Sequence, residues 1–346
     1  LEGLDSPRQA IAALKRIRRR LARPLDTGDV PVRLSVSAGV VILPDLADTP
    51  ERLLQNAHIA LRRAKAEGGG RIKVFSRTMR EHALGLLTLE QDLPRGLEKE
   101  EFFPVYQPLM RLGRAPGPAG AEVLLRWDHP ERGLVSPGQF IPVAEETGHI
   151  VPLGLWVLRR ACADFAAWRG EHPEFAQLYL SVNVSARQFA QAGLADRVRA
   201  ILEETGLPAS MLNLEITETA IMRDPRRAED SLVQLKRLGV GVSVDDFGTG
   251  YSSMSYLQRL PVDTLKIDLS FVQNMHRSQA DVEIVKAIIN LAHSLDLSVV
   301  AEGVELDEHL RTLELLDCDR AQGYHFARPM PGEELVDWML RRSARA

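Results

Sequence analysis

Asp245 and Asp246 stand side by side where an alternating apolar run ends, in "VSVDDFGTGYSSM" (residues 242–254). Neighbouring carboxylates repel, and holding both ionised takes a cation or a raised pKa. A turn rich in Asp that caps a helix is the plain alternative. Other strand-like runs carry Asn183, Glu215, Lys266, Glu302, Glu305 and Gln322 at late positions, and Glu122 starts a run of its own. One glutamate at a strand end is ordinarily a surface or cap residue. Carboxylates converging from several separate segments need compensation that a single lysine does not supply. Divalent cations do. The donors on offer are carboxylate and amide oxygens, without Cys or a His pair in ligand spacing, which favours Mg²⁺ or Mn²⁺ over zinc or copper. Two such ions suit in-line displacement at phosphorus.

The elements that must place these groups follow from periodicity. Alternate side chains of a strand share a face. On that basis Glu122, Leu124 and Arg126 lie together, as do Ser181, Asn183 and Ser185; Asn213, Glu215 and Thr217; and Thr264, Lys266 and Asp268. The opposite faces are mostly Leu, Val and Ile, suited to packing under helices. The runs are "FPVYQPL", "AEVLLRW", "LYLSVNVS", "LNLEITE", "VGVSVDDF", "TLKID", "LSVVAEGV" and "AQGYHFA", separated by helical stretches. Eight runs of this kind predict an α/β fold, a (β/α)8 barrel whose C-terminal rim gathers the polar groups. An open doubly wound sheet is the alternative, but no Gly-rich dinucleotide fingerprint follows an early strand.

The chain has 346 residues, which predicts more than one domain. Residues 1–77 read as helix, strand, helix, strand, half of a small α/β sandwich; residues 78–100 as a helical connector in which Pro94 should break or restart the helix; and residues 101–346 as the barrel. The net charge of −4 argues against long nucleic acid as a partner. Cys162 and Cys318 lie far apart without metal-ligand spacing, as expected of reduced core thiols. No run reaches the ~18 apolar residues of a membrane span. The chain begins at Leu1 without a signal-peptide pattern, so a fragment boundary is expected, with an upstream sensory or membrane region outside it. The expected location is cytoplasmic, either free or as the cytoplasmic part of an anchored protein.

From about residue 87 to 342 the sequence resembles the EAL family of cyclic di-GMP phosphodiesterases. The likeness runs in order through "YQP", "EVLLRW", "FIPVAEETG", "NVSARQF", "EITE", "DDFGTGYSSM", "LKIDLSFV", "VVAEGVE" and "QGYHFARP". It implies a modified (β/α)8 barrel, two Mg²⁺ or Mn²⁺ ions, and hydrolysis of cyclic di-GMP to linear pGpG. Ca²⁺ would inhibit, and the barrel would form a homodimer. On matching positions, Glu122, Asn183, Glu215 and Asp245 would hold one metal, and Asp245, Asp246 and Glu302 would surround the second. The resemblance makes Lys266 the residue that orients the attacking water, and Glu302 a base as well as a ligand. It also makes Glu218 the anchor of the loop after Asp246, and Glu305 and Gln322 second-layer or substrate-side groups. Arg126 would meet a phosphate and Gln107 a guanine, while "FGTGYSS" would couple metal binding to dimer contacts.

One departure falls in the name-giving tripeptide, where Val123 replaces Ala. Its side chain points away from the Glu122 face, so a packing adjustment is expected. A catalytically silent receptor for the nucleotide is the competing reading. A metal-dependent lyase on a similar barrel is a third, and the ordered motifs speak against it. The first block resembles the C-terminal half of a GGDEF domain through "LEGLD", "SVSAGV" and "NAHIALRRAK", without the GGDEF signature. Lys65 matches a phosphate-contacting lysine there, but Gly69 stands in place of a basic residue and His58 in place of an Asp. Cyclase activity is therefore not expected; docking or regulation is.

Overall fold

The computed structural model describes residues 7–23, 34–42, 49–66, 68–249 and 254–343. The chain divides into two compact units, Leu1–Asp92 and Leu93–Ala346. In the first, α1 (Pro7–Leu21), β1 (Ala38–Val40), α2 (Pro50–Ala66) and β2 (Ile72–Val74) follow in the predicted order. The strands pair in parallel, with Gly39 opposite Lys73. Gly39 lets α2 rest directly on β1, since a Cβ there would lie 2.1 Å from the Ala57 carbonyl. "LEGLD" lies outside the described residues.

Helix α3 spans Arg77–Glu98 with Pro94 inside it, which corrects the expected break. Proline removes one backbone bond and costs ~3 kcal/mol in a helix interior. Leu89 and Leu93, one turn apart, are each 2% exposed. Burying two leucines recovers roughly 3 kcal/mol or more, enough to carry the helix through.

The second unit is a closed barrel. Its strands are β3 (Phe102–Arg111), β4 (Gly117–His129), β5 (Gly133–Val135), β6 (Tyr179–Val184), β7 (Leu212–Thr217), β8 (Gly241–Phe247), β9 (Thr264–Ile267), β10 (Ser298–Ala301) and β11 (Arg320–Ala321). The order is β3-β11-β10-β9-β8-β7-β6-β4-β5, and β3–β4 pairing closes the ring of eight with β5 as an appendage on β4. Strand β3 runs antiparallel to both β4 and β11, whereas the remaining ring pairs are parallel. A short hairpin between β3 and β4 accounts for this reversal, because parallel neighbours need a long crossover.

All eight predicted runs contribute a strand. The last shares only Ala321 with its strand, Arg320–Ala321, because the chain leaves the sheet at Gly323, which passes so near β10's exit that a Cβ would lie 2.1 Å from the Val304 carbonyl. The outward faces, including Leu180, Val182, Leu214, Ile216, Val242, Leu265 and Val299, form one apolar cluster with helix residues such as Phe165, Val198, Leu232 and Ile289. Cys162 and Cys318 are free and buried in it, and burial pushes both thiols up to about 12. No described helix is long and apolar enough to cross a membrane.

Candidate active site

The barrel interior is polar in layers. Low in it, Asn213 Nδ2 donates to Ser181 Oγ and Ser243 Oγ, both at 2.9 Å. Between strands the register pairs Glu122 with Gln107 and Ser181, Asn183 with Glu215, and Thr217 with Asp245. Glu122 lies well inside its strand, not at its start, because β4 begins at Gly117. At the centre is Lys266, 1% exposed. Its Nζ lies 2.5 Å from Glu302 Oε1, 2.6 Å from Glu215 Oε2, 3.4 Å from Asp245 Oδ1 and 3.7 Å from Glu122 Oε2.

Amides complete the ring. Asn183 Nδ2 donates to Glu122 Oε1 at 2.5 Å, and Gln322 Nε2 reaches Glu122 Oε2 at 2.8 Å and Gln107 Oε1 at 2.9 Å. Gln107 Nε2 in turn donates to the Ala327 carbonyl at 3.1 Å.

The two aspartates share the site by means of a backbone irregularity. In a regular strand, residues 245 and 246 would face opposite ways. The β8–β9 register shifts between Val244 and Phe247, and Asp246 takes φ 53, a left-handed conformation uncommon for a non-glycine residue. A bulge of this kind re-aims a side chain, and Asp246 feels both Asp245 and Asp268 electrostatically. The turn that follows is tied down by Glu218, 2% exposed, whose Oε2 accepts from the Gly248 N–H at 3.0 Å. The rest of the "FGTGYSS" stretch, residues 250–253, lies outside the described residues.

Burial dominates the electrostatics. It raises Glu215 well above the usual carboxylate range; Lys266 pulls back, and Glu122, Asp245 and Glu302 push further up. Burial likewise raises Glu302 to about 7 against the pull of Lys266, and Asp246 to about 6 with help from Asp245 and Asp268. For Lys266 burial acts downward, but the surrounding carboxylates outweigh it and hold the ammonium well above the ordinary lysine value. One ammonium thus faces Glu122, Glu215, Asp245 and Glu302 directly, with Asp246 nearby.

Among the described residues no three His, Cys, Asp or Glu side chains already converge on one cation position, with the ammonium standing among the four carboxylates. Two observations nevertheless fit hard divalent cations. The donor set is oxygen throughout, and Asp245 Oδ1 is buried without a hydrogen-bond donor, its nearest cationic neighbour being Lys266 at 3.4 Å.

The other predicted residues fall on the rim or away from it. Arg126 is half-buried, donating to the Leu125 carbonyl at 2.8 Å; burial lowers its pKa, with Tyr324 acting in the opposite sense. Glu305 is not brought to the Lys266 cluster: it is exposed and accepts from Gln273 Nε2 at 2.9 Å. Val123 is 3% exposed in the apolar cluster, and Glu122 keeps its position on the other face. Lys65 and His58 are exposed in the first unit, and Gly69 has φ 68.

Three features escaped the sequence reading. Ser243 joins the polar layer, Asp268 helps to raise the Asp246 carboxyl, and Arg328 stacks over Tyr324 at 4.4 Å, the ring that acts on Arg126. For Asp268 the signal was present, since it shares the Lys266 face.

A closed α/β barrel with an acidic, lysine-centred interior at the ends of its parallel strands defines the class. The chain belongs to the EAL domain family, whose model matches residues 90–329. The diguanylate cyclase GGDEF domain model matches residues 1–71. MucR of Pseudomonas aeruginosa, a bifunctional diguanylate cyclase/cyclic di-GMP phosphodiesterase, is 41% identical over 331 residues, 95% of this chain and 48% of MucR. The cyclic di-GMP phosphodiesterase NbdA of the same organism is 39% identical over 340 residues, 98% of this chain and 43% of NbdA. The chain therefore spans less than half the length of these relatives. The solved phosphodiesterase of MucR in complex with c-di-GMP superposes with a TM-score of 0.69 at 46% identity, covering 72% of this chain and 99% of that one. The EAL domain of Mycobacterium smegmatis DcpA gives 0.58 at 38% identity, covering 69% and 96%.

Proposed function

We propose that the barrel hydrolyses cyclic di-GMP to linear pGpG with the help of two Mg²⁺ or Mn²⁺ ions. The observation that carries this reading is the convergence of Glu122, Glu215, Asp245 and Glu302 within 3.7 Å of Lys266 Nζ, with Asp246 turned toward the same place. Glu122, Asn183, Glu215 and Asp245 would hold one ion, and Asp245, Asp246 and Glu302 the other. When bound, such ions supply Lewis-acid stabilisation of phosphoryl oxygens and ease deprotonation of water.

The chain's own groups do the rest. Lys266, kept protonated by its carboxylates, orients the attacking water and offsets charge growing on the phosphoryl oxygens. Glu302, raised to about 7, is placed to accept the water's proton at working pH. The water oxygen bonds to phosphorus, the bond to the 3′ oxygen breaks, and that oxygen takes a proton. Arg126 offers a planar fork to a phosphate, Gln107 a polar edge to guanine, and Gln322 fixes Glu122. Glu218 anchors the turn beyond Asp246. Glu305, exposed and bonded to Gln273, would act from the substrate side. A homodimer through the barrel belongs to this reading, as do regulation instead of cyclase activity in the first unit and a cytoplasmic location.

The deciding experiment incubates the chain with cyclic di-GMP and either Mg²⁺ or Mn²⁺ and separates products by chromatography. Release of pGpG is expected. Nucleotide binding without release in either metal removes the catalytic reading and favours the receptor.

A further inference from the structure

Outside the carboxylate centre, two imidazoles meet. His309, in the first turn of the helix Asp307–Leu315, is 2% exposed. Its Nε2 lies 3.1 Å from Nδ1 of His276, which sits between the helices Leu269–Asn274 and Gln279–Ser294. On the other side of the ring, the Glu305 backbone N–H is directed at His309 Nδ1 at 3.4 Å.

These contacts fix the tautomers. Because Nδ1 of His309 accepts from Glu305, a neutral ring carries its hydrogen on Nε2 and donates to His276 Nδ1. A second tie reinforces the first, Gln273 Nε2 to Glu305 Oε1 at 2.9 Å. Between them Gly303, φ 70, passes so close to the helix Leu269–Asn274 that a Cβ would lie 2.7 Å from Leu269 Cβ. The segment held this way begins at Glu302, whose N–H donates to the Ile267 carbonyl at 3.2 Å, next to Lys266.

We propose that His309 is a positioning residue: with His276 it braces the segment 302–306 against the helix that follows the Lys266 strand, and one proton on the pair releases the brace. A proton on His309 Nδ1 faces the Glu305 N–H. A proton on His276 Nδ1 faces His309 Nε2–H, or forces the His309 hydrogen onto Nδ1 and against Glu305. Every arrangement of the extra proton loses one of the two contacts.

The groups facing His309 are His276 from the interhelical connection, Glu305 from the braced segment, Glu308 from its own helix, and His325 from the stretch after β11. His325 is itself paired with Asp307, Nδ1 to Oδ1 at 3.3 Å. Burial and then His276 hold His309 below the ordinary histidine value, Glu305 and Glu308 pull upward, and His325 pushes down. A base depressed in the folded state leaves the brace complete above about pH 6.5 and weakens it as the pH falls below that value. The catalytic consequence rests on the phosphodiesterase reading; the brace does not.

Hydrogen exchange of the whole chain, read by mass spectrometry and corrected for intrinsic rates, tests it. In the wild type the amides of 302–306 should exchange about tenfold faster at about pH 5.5 than at about pH 7.5, the scale of one lost neutral hydrogen bond. His309→Gln, whose amide accepts and donates without titrating, should change less than about twofold, and His309→Leu should be fast at both pH values. A wild type without the acceleration, or a His309→Gln protein that accelerates equally, overturns the proposal. If His309→Leu does not fold, the first two proteins decide. Turnover separates the two readings. Acid should lower kcat in both proteins as Glu302 takes up a proton, but the fall should be steeper in the wild type than in His309→Gln, with KM little changed. An equal fall in both proteins removes the link to catalysis, whereas a chain inert toward cyclic di-GMP that keeps this exchange pattern retains the brace and loses the phosphodiesterase reading.

Discussion

Lys266 Nζ and Glu215 Oε2 meet at 2.6 Å with side chains 2% and 1% exposed, so this ion pair lies wholly out of water. Such a pair is held by the cost of breaking it more than by its own net attraction. Removing the ammonium by Lys266→Met leaves several buried carboxylates uncompensated and should lower cation-free stability by about 3–5 kcal/mol. Turnover should fall by orders of magnitude, since a transition-state contact is lost, while nucleotide binding weakens much less. Denaturant melts, product assays and calorimetry check the three outcomes. A Lys266→Met protein with wild-type turnover ends the assigned role.

The raised carboxylates set a pH dependence. Burial lifts Glu302 to about 7 and Asp246 to about 6, above their values in an unfolded chain. The folded state therefore binds more protons than the unfolded state, and cation-free stability declines as pH rises from about 4.5 to 7. Glu302 alone contributes on the order of 3 kcal/mol of this loss. A divalent cation must compete with those protons, so the rise in Tm on adding Mg²⁺ or Mn²⁺ should be larger at about pH 8 than at about pH 5.5. Ca²⁺ should also raise Tm while supporting little turnover, being larger and less demanding of octahedral geometry. A cation shift independent of pH would count against the cluster as the binding place.

Arg126 carries a different expectation. It is half-buried at the rim, and its Nη1 donates to its neighbour's carbonyl, Leu125, at 2.8 Å. A guanidinium that grips phosphate in the ground state as well as the transition state contributes uniform binding. Arg126→Ala should weaken cyclic di-GMP by about 1.5–3 kcal/mol, and kcat should change less than KM. Titration calorimetry with Ca²⁺ as a non-turnover cation gives the affinity. An unchanged Kd removes the phosphate contact.

The barrel and its acid cluster were legible because alternation sorts each strand into a wet face and a dry one. Glu215, Lys266 and Asn183 could be placed that way. The shared position of Asp245 and Asp246 could not, since alternation separates neighbours and only the bulge at φ 53 reunites them. The reversal of β3 was invisible for a related reason: the side-chain period is the same in parallel and antiparallel strands. Glu305 misled because it lies only three residues beyond Glu302 at the exit of β10, yet the turn at Gly303 sends it outward to Gln273. Pro94 misled because local propensity was set against tertiary burial, and burial won.

Glu218 supplies the last test. Its Oε2 holds the Gly248 N–H at 3.0 Å, and its Oε1 is buried without a donor. The turn it ties down follows directly from Asp246, whose left-handed backbone is costly to maintain unaided. Glu218→Gln keeps an acceptor for Gly248 and should retain most activity. Glu218→Ala leaves the N–H unpartnered and should cost about 1–3 kcal/mol of stability. The effect on turnover should appear as a higher cation concentration needed for half-maximal rate, because Asp246 is the group released. Activity titrated against Mn²⁺ in the wild type and both variants reads this directly. If Glu218→Ala lowers the rate equally at all Mn²⁺ concentrations, Glu218 acts on the chemistry by another route, and its role as anchor of the Asp246 turn falls.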